Sequence, residues 1–331
     1  MPWGALGVAA HLGAELAEIP LLQLSYMIWK VSGPIALILP VFCLIFIPNR
    51  SFKDLSIALY AGLLLSGGIG LGTYLVGIEI AGALGGILVI FLIAQRASSP
   101  PKLMRIFTKR KLAPYYFLIC AVLMQKFLVI CTTTFDITPA ISSSRVTFAV
   151  FTSPGISLLI ASLITALLFK PVQKKMAAEP RLTSFVWQRA WRPLTAIFLF
   201  TFGARLVVEI GATQALADFI SATGARTSLI TVTMLGALSG FVTGSGIAGN
   251  ALFMPSAAAT GMNLDSTALF AAMQHGAAGH TAMAALPVGA ILLAVLPNRA
   301  PEDDRNVMRT GLCLSVIIIS LLILSGLLQL N

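Results

Sequence analysis

A short polar stretch interrupts an otherwise apolar part of the sequence. Residues 240–261 read GFVTGSGIAGNALFMPSAAATG, and Thr243, Ser245 and Asn250 supply hydrogen-bonding side chains there. The glycines between them let a bound molecule come close to the backbone. A helix that begins beside them would present free N–H groups and the positive end of its dipole, which favour an anion. The stretch predicts an anion-binding site; close packing of two helices through small residues is the alternative.

A second polar group follows in the sequence HGAAGHTAMAALP. Its glycines weaken a helix, and Pro287 removes a backbone donor just beyond them, so we expect a helix broken at His280. Because an imidazole titrates near neutral pH, His280 could bind a solute or carry a proton; bonding to a carbonyl freed by the break is the alternative. The candidate binding residues in the two stretches are Thr243, Gly244, Ser245, Gly246, Asn250, Gln274, His275, Gly279, His280 and Thr281.

Other kinds of chemistry find no support in the residue pattern. The 4 cysteines lie far apart and the chain has only 3 histidines, so no metal-ligand spacing occurs. Neither a phosphate-binding P-loop nor the nucleophile elbow of a hydrolase is present. The sequence therefore predicts a protein that is not an enzyme and that uses no metal or cofactor.

Several ionisable residues lie within apolar runs, where a charge at the centre of a membrane helix costs about 2.5–3.5 kcal/mol. Arg205 and Glu209 are an i, i+4 pair on a predicted helix and are expected to form an ion pair. Glu79 lies close enough to the end of its run to be solvated, and Lys126 close enough to extend to the membrane surface. His11 stands alone and is interpreted as structural or interfacial.

The composition places all of these residues in a membrane protein. The chain has 331 residues, of which 57% are hydrophobic and 10% charged, against about a quarter charged in a soluble domain. Its apolar runs are long enough to cross a bilayer, which takes about 20 helical residues. We therefore expect an all-α, polytopic membrane protein with about nine crossings. The predicted apolar helices are residues 31–48, 55–74, 78–94, 113–131, 148–169, 193–210, 229–242, 266–296 and 310–330.

Two segments do not fit a plain crossing. The apolar piece inside residues 240–261 is too short to span, so we expect a re-entrant hairpin that enters and leaves the membrane on one side. Residues 266–296 are predicted to form a broken helix, followed by the last helix at 310–330. Irregular backbone at membrane depth is tolerated only where protein buries it or where it lines a wet cavity. A hairpin followed by a broken helix is typical of inverted-repeat transporters, which bind their solute near the bilayer midplane.

The distribution of lysine and arginine predicts the orientation of the chain. Residues 95–112 and 170–192 are rich in both, whereas residues 132–145 between them are sparsely charged. Cytoplasmic loops carry an excess of basic residues, so we expect both basic loops on the cytoplasmic side of the cytoplasmic (inner) membrane. The formal net charge of +10 is explained by this asymmetry, and no nucleic-acid partner is expected.

The stretch GFVTGSGIAGNALF resembles a motif of the L-lactate permease family, a group of proton-coupled carriers of 2-hydroxy acids, where it runs roughly T-G-S-D-T-S-S-N-A-L-F. Further segments match in the same order. AGHTAMAALP resembles the family's Gly-rich break before M-I-S-P, PEDDRNVMRTGL its K-E-S-D-L-F-R-F-T-V segment, and VGIEIAGALGG its G-P-E-L segment, with Glu79 as the acid. The resemblance implies symport of a small organic anion, a lactate-like monocarboxylate, with H⁺ or Na⁺.

The opening sequence MPWGALGVAAHLGAEL resembles the lower half of the family's first broken helix. The resemblance implies that Gly4 and Gly7 form a half-site facing the hairpin. The family carries a hairpin and several helices before this point, so the chain is expected to be shortened at its N-terminus. We divide it into a remnant of the first broken helix with its connector (1–30), a middle of transmembrane helices (31–192) and a second repeat (193–331).

Two functions remain open from the sequence. The first is secondary active transport of the organic anion, driven by a proton or sodium gradient. The second is a non-transporting or incomplete membrane subunit that needs a separate partner chain with the missing N-terminal helices; a homo-oligomer is the other assembly considered. The second function is favoured by residues 246–249, which lack the acid and hydroxyls that the family carries there.

Overall fold

The computed structural model describes residues 2–46, 48, 51–96, 112–134, 140–143, 146–149, 154–168, 182–294 and 301–330. The chain forms two compact units, one made of Met1–Gly86 with Pro193–Asn331 and the other of Ile87–Arg192. We call them the larger and the smaller unit. The described part is helical except for a two-stranded antiparallel hairpin in the smaller unit, formed by β1 (Ala140–Ser143) and β2 (Val146–Ala149).

Six helices in the described part of the chain are long and apolar enough to cross a membrane. They lie at Leu21–Phe46, Phe52–Leu75, Ala113–Thr132, Val186–Glu209, Ala225–Thr243 and Glu302–Leu327. The prediction of an all-α, polytopic membrane protein is thereby confirmed. The count of about nine crossings stays a prediction, since two shorter apolar helices, Ile78–Phe91 and Gly155–Leu168, are too short to decide it.

The helices up to residue 209 are α1 (Val8–Leu16), α2 (Leu21–Cys43), α3 (Phe52–Leu75), α4 (Ile78–Arg96), α5 (Ala113–Thr134), α6 (Pro154–Leu168) and α7 (Leu182–Glu209). Those that follow are α8 (Ala212–Ser221), α9 (Ala225–Thr243), α10 (Gly246–Asn263), α11 (Thr267–Thr281), α12 (Leu286–Ala294) and α13 (Pro301–Leu327). Short 3₁₀ turns lie at Ala5–Gly7, Leu44–Phe46 and Ala282–Ala284. In the smaller unit α5 and α6 pack together, and the Ser157 hydroxyl donates to the Gln125 side chain.

Four helices begin well away from the predicted residue. α2 begins at Leu21 rather than at residue 31, and α7 at Leu182 rather than at residue 193. The helix expected from residue 148 begins at Pro154, because the fixed φ of proline suits the first helical position. Residues 146–149 (VTFA) form a strand instead, as β-branched and aromatic residues favour. The last helix begins at Pro301 rather than at residue 310, and the acidic side chains in its first turn stabilise that N-terminus.

The stretch at residues 240–261 contains a chain reversal. α9 ends at Thr243, and Gly244 adopts a left-handed conformation with φ 63°. α10 begins at Gly246 with Ser245 as its N-cap, so no continuous helix passes through this point. A Cβ atom added to Gly249 would lie 2.9 Å from Ser239 Oγ, which places the two helices side by side as a helical hairpin.

α11 lies at the centre of the larger unit, with every residue from Ala268 to Thr281 buried. A 3₁₀ turn at Ala282–Ala284 and an extended Ala285 separate it from α12. The expectation that the helix breaks at His280 is therefore wrong, because the tightly packed glycines and histidines of α11 remain helical and the interruption falls just before Pro287. A Cβ at Gly244 would lie 3.4 Å from Ala285 Cβ, so the turn of the hairpin contacts this interruption.

Candidate functional site

An irregular segment at residues 3–7 forms one wall of the candidate site. Leu6 and Gly7 have positive φ angles of 56° and 69°, and the Gly7 N–H donates to the Gly4 carbonyl at 3.0 Å. α1 starts directly after this turn. Gly4 and Gly7 thus lie in non-helical backbone at the start of a short helix.

A cavity of about 320 Å³ is enclosed by this segment together with α2, α3, α4 and α11. It is lined by Trp3, Gly4, Ile35, Ala36, Leu39, Leu65, Ile69, Gly82 and His280. The lining residues are apolar except for Trp3 and His280, whose side chains contain the ring nitrogens Trp3 Nε1 and His280 Nε2. Both atoms are buried, and neither has a hydrogen-bond partner within the described part of the chain. A buried polar atom without a partner costs roughly 1–3 kcal/mol, so a ligand that reached these two nitrogens would be stabilised by bonding to them.

A second cavity of about 480 Å³ lies on another side of His280. It is lined by Leu39, Phe46, His280, Met283, Ala284, Asn306, Val307, Thr310, Gly311, Leu314, Ser315 and Ile318. Leu39 and His280 line both cavities. The described lining of neither cavity includes Asp, Glu, Lys or Arg, so their polarity comes from neutral hydrogen-bonding groups.

The hydroxyls of the predicted Thr-Gly-Ser site are engaged in the hairpin turn. Thr243 Oγ1 donates a hydrogen bond to the Ser239 carbonyl at 2.7 Å, and it accepts one from the backbone N–H of Ser245 at 3.3 Å. Ser245 Oγ accepts the N–H of Ala248 at 3.4 Å as the N-cap of α10. Both side chains therefore shape the turn that contacts the interruption after α11.

Asn250 and His275 form a buried hydrogen-bonded chain between the hairpin, α11 and the N-terminal segment. Asn250 Nδ2 donates to the Ala9 carbonyl at 2.7 Å and to His275 Nδ1 at 2.9 Å. His275 Nε2 lies 3.0 Å from the Pro2 carbonyl. Since that carbonyl can only accept, the proton of a neutral His275 lies on Nε2 and leaves Nδ1 free to accept from Asn250.

The remaining predicted residues on α11 also make internal contacts. Gln274 Nε2 donates to the Gly249 carbonyl at 3.2 Å, and Thr281 Oγ1 donates to the Ala237 carbonyl at 2.8 Å. Gly246 and Gly279 lie close together, since a Cβ on Gly246 would be in van der Waals contact with Gly279 Cα at 3.6 Å. Of the twelve predicted binding residues, Gly4 and His280 are the two that line the smaller cavity.

Some glycines of the hairpin serve close helix packing, and others serve the turn at the predicted binding site. A Cβ at Gly249 would lie 2.9 Å from Ala278 Cβ, and one at Gly240 would clash with the Ala278 carbonyl. These two positions serve close helix packing, as the small-residue alternative predicts. Gly244 instead provides the left-handed turn, and a Cβ at Gly246 would meet Gly279 of α11 only at ordinary van der Waals distance.

Sequence reasoning missed the polar groups that line the cavities with His280. Trp3 stands directly before Gly4, and this neighbour of the expected half-site was the available signal. Asn306, Thr310 and Ser315 of α13 line the larger cavity. They lie in or just after the segment PEDDRNVMRTGL, which was noted only for its resemblance.

The ionisable residues within apolar runs are placed differently from the expectations. Glu79 is buried rather than solvated, and its Oε1 lies 3.1 Å from His11 Nε2. Arg205 and Glu209 are both exposed, and the structure shows no ion pair between these two described side chains, so the predicted pairing is wrong. Most of the two basic loops, residues 97–111 and 170–181, lies outside the described residues. Residues 182–192 of the second predicted loop form the first part of α7 instead.

Comparison with known proteins gives one result. A family model described as L-lactate permease matches residues 86–325. The match includes the hairpin α9–α10, the interrupted pair α11–α12 and most of α13, and it leaves out the opening segment and Glu79. Searches of curated proteins and of solved structures found no match.

Proposed function

Because the chain belongs to the L-lactate permease family, we propose that it carries a lactate-like monocarboxylate across the cytoplasmic membrane by secondary active transport. The family is one of transporters and its description points to lactate crossing a membrane. The driving force in this proposal is a proton or sodium gradient, since no nucleotide-binding loop is present in the sequence. The protein therefore acts as a carrier and not as an enzyme.

The observation that carries the proposal is that the two polar side chains lining the smaller cavity, Trp3 and His280, each contain a buried ring nitrogen without a partner among the described residues. The indole N–H of Trp3 can only donate, and His280 Nε2 donates when it bears a proton. A carboxylate accepts hydrogen bonds at both oxygens and would satisfy the two donors together. Hydrogen bonds to a charged group contribute about 1.5–3 kcal/mol each, which favours an ionised acid over a neutral solute.

The size and lining of the cavity fit a small ligand of this class. Its volume of about 320 Å³ lies at the lower end of the ~300–1,000 Å³ range of small-molecule sites. The surrounding Ile35, Leu39 and Ile69 would contact the hydrocarbon part of the acid. We assign direct contacts to Trp3, Gly4 and His280.

The other predicted residues have a supporting role in this proposal. Thr243, Gly244 and Ser245 hold the turn of the hairpin against the interruption after α11. Asn250 and His275 fasten the hairpin and α11 to the N-terminal segment. These contacts keep the two halves of the site in register while the solute is bound, and their rearrangement would open the site to the other side of the membrane.

The proposal is tested by reconstituting the purified chain in liposomes and measuring uptake of labelled lactate, with and without a pH gradient or a sodium gradient. The informative variant is Trp3→Phe, which removes the N–H and keeps an aromatic ring. Losing one hydrogen bond to a carboxylate is expected to weaken lactate affinity about ten- to a hundredfold.

A matched control is Trp29→Phe. Trp29 Nε1 donates to the Ser66 carbonyl at 3.0 Å, away from the lining of the smaller cavity. This variant makes the same chemical change and is expected to retain the wild-type affinity. Equal affinities for lactate in wild type and Trp3→Phe would remove Trp3 from the site, and absence of uptake by the wild-type chain under every gradient would refute transport.

A further inference from the structure

We propose that His11 and Glu79 together form the site that binds and releases a coupling proton. This inference rests on the proposed transport function and names its driving ion and the residues that hold it. The pair lies outside the lining of both cavities, so it is a second site. It joins two titratable side chains from elements that are 68 positions apart in sequence.

The burial of the pair is the first observation. Glu79 is the only buried acidic residue in the part of the chain that the structure describes, and its side chain is 5% exposed. A carboxylate in such surroundings is destabilised unless a partner or a proton neutralises it. Its place in the first turn of α4 favours the ionised form and offsets part of this cost.

The partner of Glu79 is itself titratable. His11 Nε2 lies 3.1 Å from Glu79 Oε1, within reach of a shared proton. A neutral imidazole beside a carboxylate carries one negative charge, and binding of one proton makes the pair neutral overall. We therefore assign the proton to the pair of side chains rather than to either residue alone.

The same geometry favours a proton over a metal cation. Hard cations are held by several oxygen ligands, whereas the atom facing Glu79 Oε1 is a ring nitrogen. The described residues contain no group of three or more His, Cys, Asp or Glu side chains able to hold a metal ion. His11 is 23% exposed, so it provides the route by which a proton enters and leaves.

The pair is in direct contact with the segment that lines the smaller cavity. A Cβ at Gly7 would lie 3.5 Å from Glu79 Cα, which places the irregular segment against the backbone of the acid. Further along the same helix, a Cβ at Gly82 would lie 3.1 Å from the Trp3 carbonyl. A shift of α1 against α4 on proton binding would therefore move the backbone of Trp3 and Gly4, which line the site.

Other ionisable groups on the neighbouring elements do not replace this pair. Glu15 on α1 and Glu18 just after it are exposed, as is Tyr74 at the end of α3. On α2, Lys30 Nζ lies 4.9 Å from the centre of the Tyr26 ring. The hairpin helix α10, which packs on α1, contains no Asp, Glu, Lys, Arg or His.

The test separates coupling from solute movement in proteoliposomes. Accumulation of labelled lactate driven by an inward proton gradient is compared with exchange of labelled for unlabelled lactate without a gradient. In the wild-type chain we expect the pH gradient to drive accumulation. The Glu79→Gln variant cannot release a proton from this side chain. We therefore expect it to keep lactate exchange but to accumulate no more lactate with the pH gradient than without it. Glu15→Gln, a loss of an exposed acid on α1, is the matched control and should behave as wild type.

The outcomes distinguish this inference from the transport function. Wild-type vesicles with neither accumulation nor exchange would refute transport itself. Exchange with accumulation driven by sodium alone, or wild-type accumulation with the pH gradient in Glu79→Gln, would overturn the proton site and leave transport standing. If Glu79→Gln does not reconstitute, the measurement is made on His11→Gln, where an unchanged pH dependence of accumulation would overturn the inference.

Discussion

Asn250 connects three separate parts of the larger unit through one side chain. Its Nδ2 reaches the Ala9 carbonyl of α1 and His275 Nδ1 of α11, and the residue is fully buried. The N-cap of α10 is Ser245 and not Asn250. The amide therefore stabilises the packing of the hairpin, and its Oδ1 has no partner among the described residues.

We predict that Asn250→Ala lowers the melting temperature of the solubilised protein. Removal of the amide leaves the buried His275 Nδ1 without its donor and takes one of the donors from the Ala9 carbonyl, a loss of about 1–3 kcal/mol. Asn263→Ala serves as the control, since Asn263 is exposed at the other end of α10 and bonds to Asp218 and Ser221 at the surface. It should change stability by no more than about 0.5 kcal/mol.

Uptake measurements on the same variant decide between packing and binding. If Asn250→Ala melts at the wild-type temperature yet binds lactate about ten- to a hundredfold more weakly, its amide contacts the solute and the packing role is wrong. A lowered melting temperature with nearly unchanged affinity in the folded fraction supports the role as a structural connection.

The helical hairpin and α11 form the element on which the site depends. Gly236 and Gly240 of α9 and Gly249 of α10 all approach α11 so closely that an added Cβ would contact or overlap its atoms. Helices in a membrane associate through such close approach because the surrounding lipid offers no hydrophobic gain on association. The turn at Gly244 is fixed against the interruption by this packing and not by charge.

We predict that Gly240→Ala destabilises the protein. The new methyl group would meet the Ala278 carbonyl on α11, and overpacking of this kind typically costs about 1–3 kcal/mol. Gly67→Ala is the control, because nothing lies within 4 Å of a Cβ at that position of α3. Thermal melting and the monodisperse fraction after purification measure the difference. Equal stability of the two variants would show that α9 can move away from α11 without loss.

The hairpin illustrates what local sequence can predict. Gly244 between two apolar helices marks a left-handed turn, and Ser245 is a favoured N-cap, so the reversal follows from residue types alone. The position of the interruption after α11 cannot be predicted from residue types alone, because the glycines of GAAGH remain helical when neighbouring helices pack around them. The buried pair of Glu79 and His11 depends on a contact across 68 positions, which periodicity along one helix does not show.

At the scale of the whole molecule, the sequence predicts that strong basic charge lies on one side of the membrane. The two basic loops, residues 95–112 and 170–192, are separated by α5 and α6, with the strand hairpin β1–β2 between those helices. If α5 and α6 each cross the membrane, the two loops share a side and the strand hairpin lies on the other. Lysine and arginine are retained on the cytoplasmic side, which orients the whole chain.

We predict that both basic loops face the cytoplasm and that the strand hairpin faces outward. Single cysteines are introduced at Ser98, Ala177 and Ser142 after the native Cys43, Cys120, Cys131 and Cys313, all of which are free thiols, have been replaced. In intact cells a membrane-impermeant thiol reagent should label Ser142→Cys, whereas Ser98→Cys and Ala177→Cys should react only after the membrane is permeabilised. Labelling of Ser142→Cys verifies that the reagent reaches the outer face. Labelling of only one basic loop in intact cells would mean that α5 and α6 do not both cross, and labelling of both would invert the orientation and overturn the charge argument.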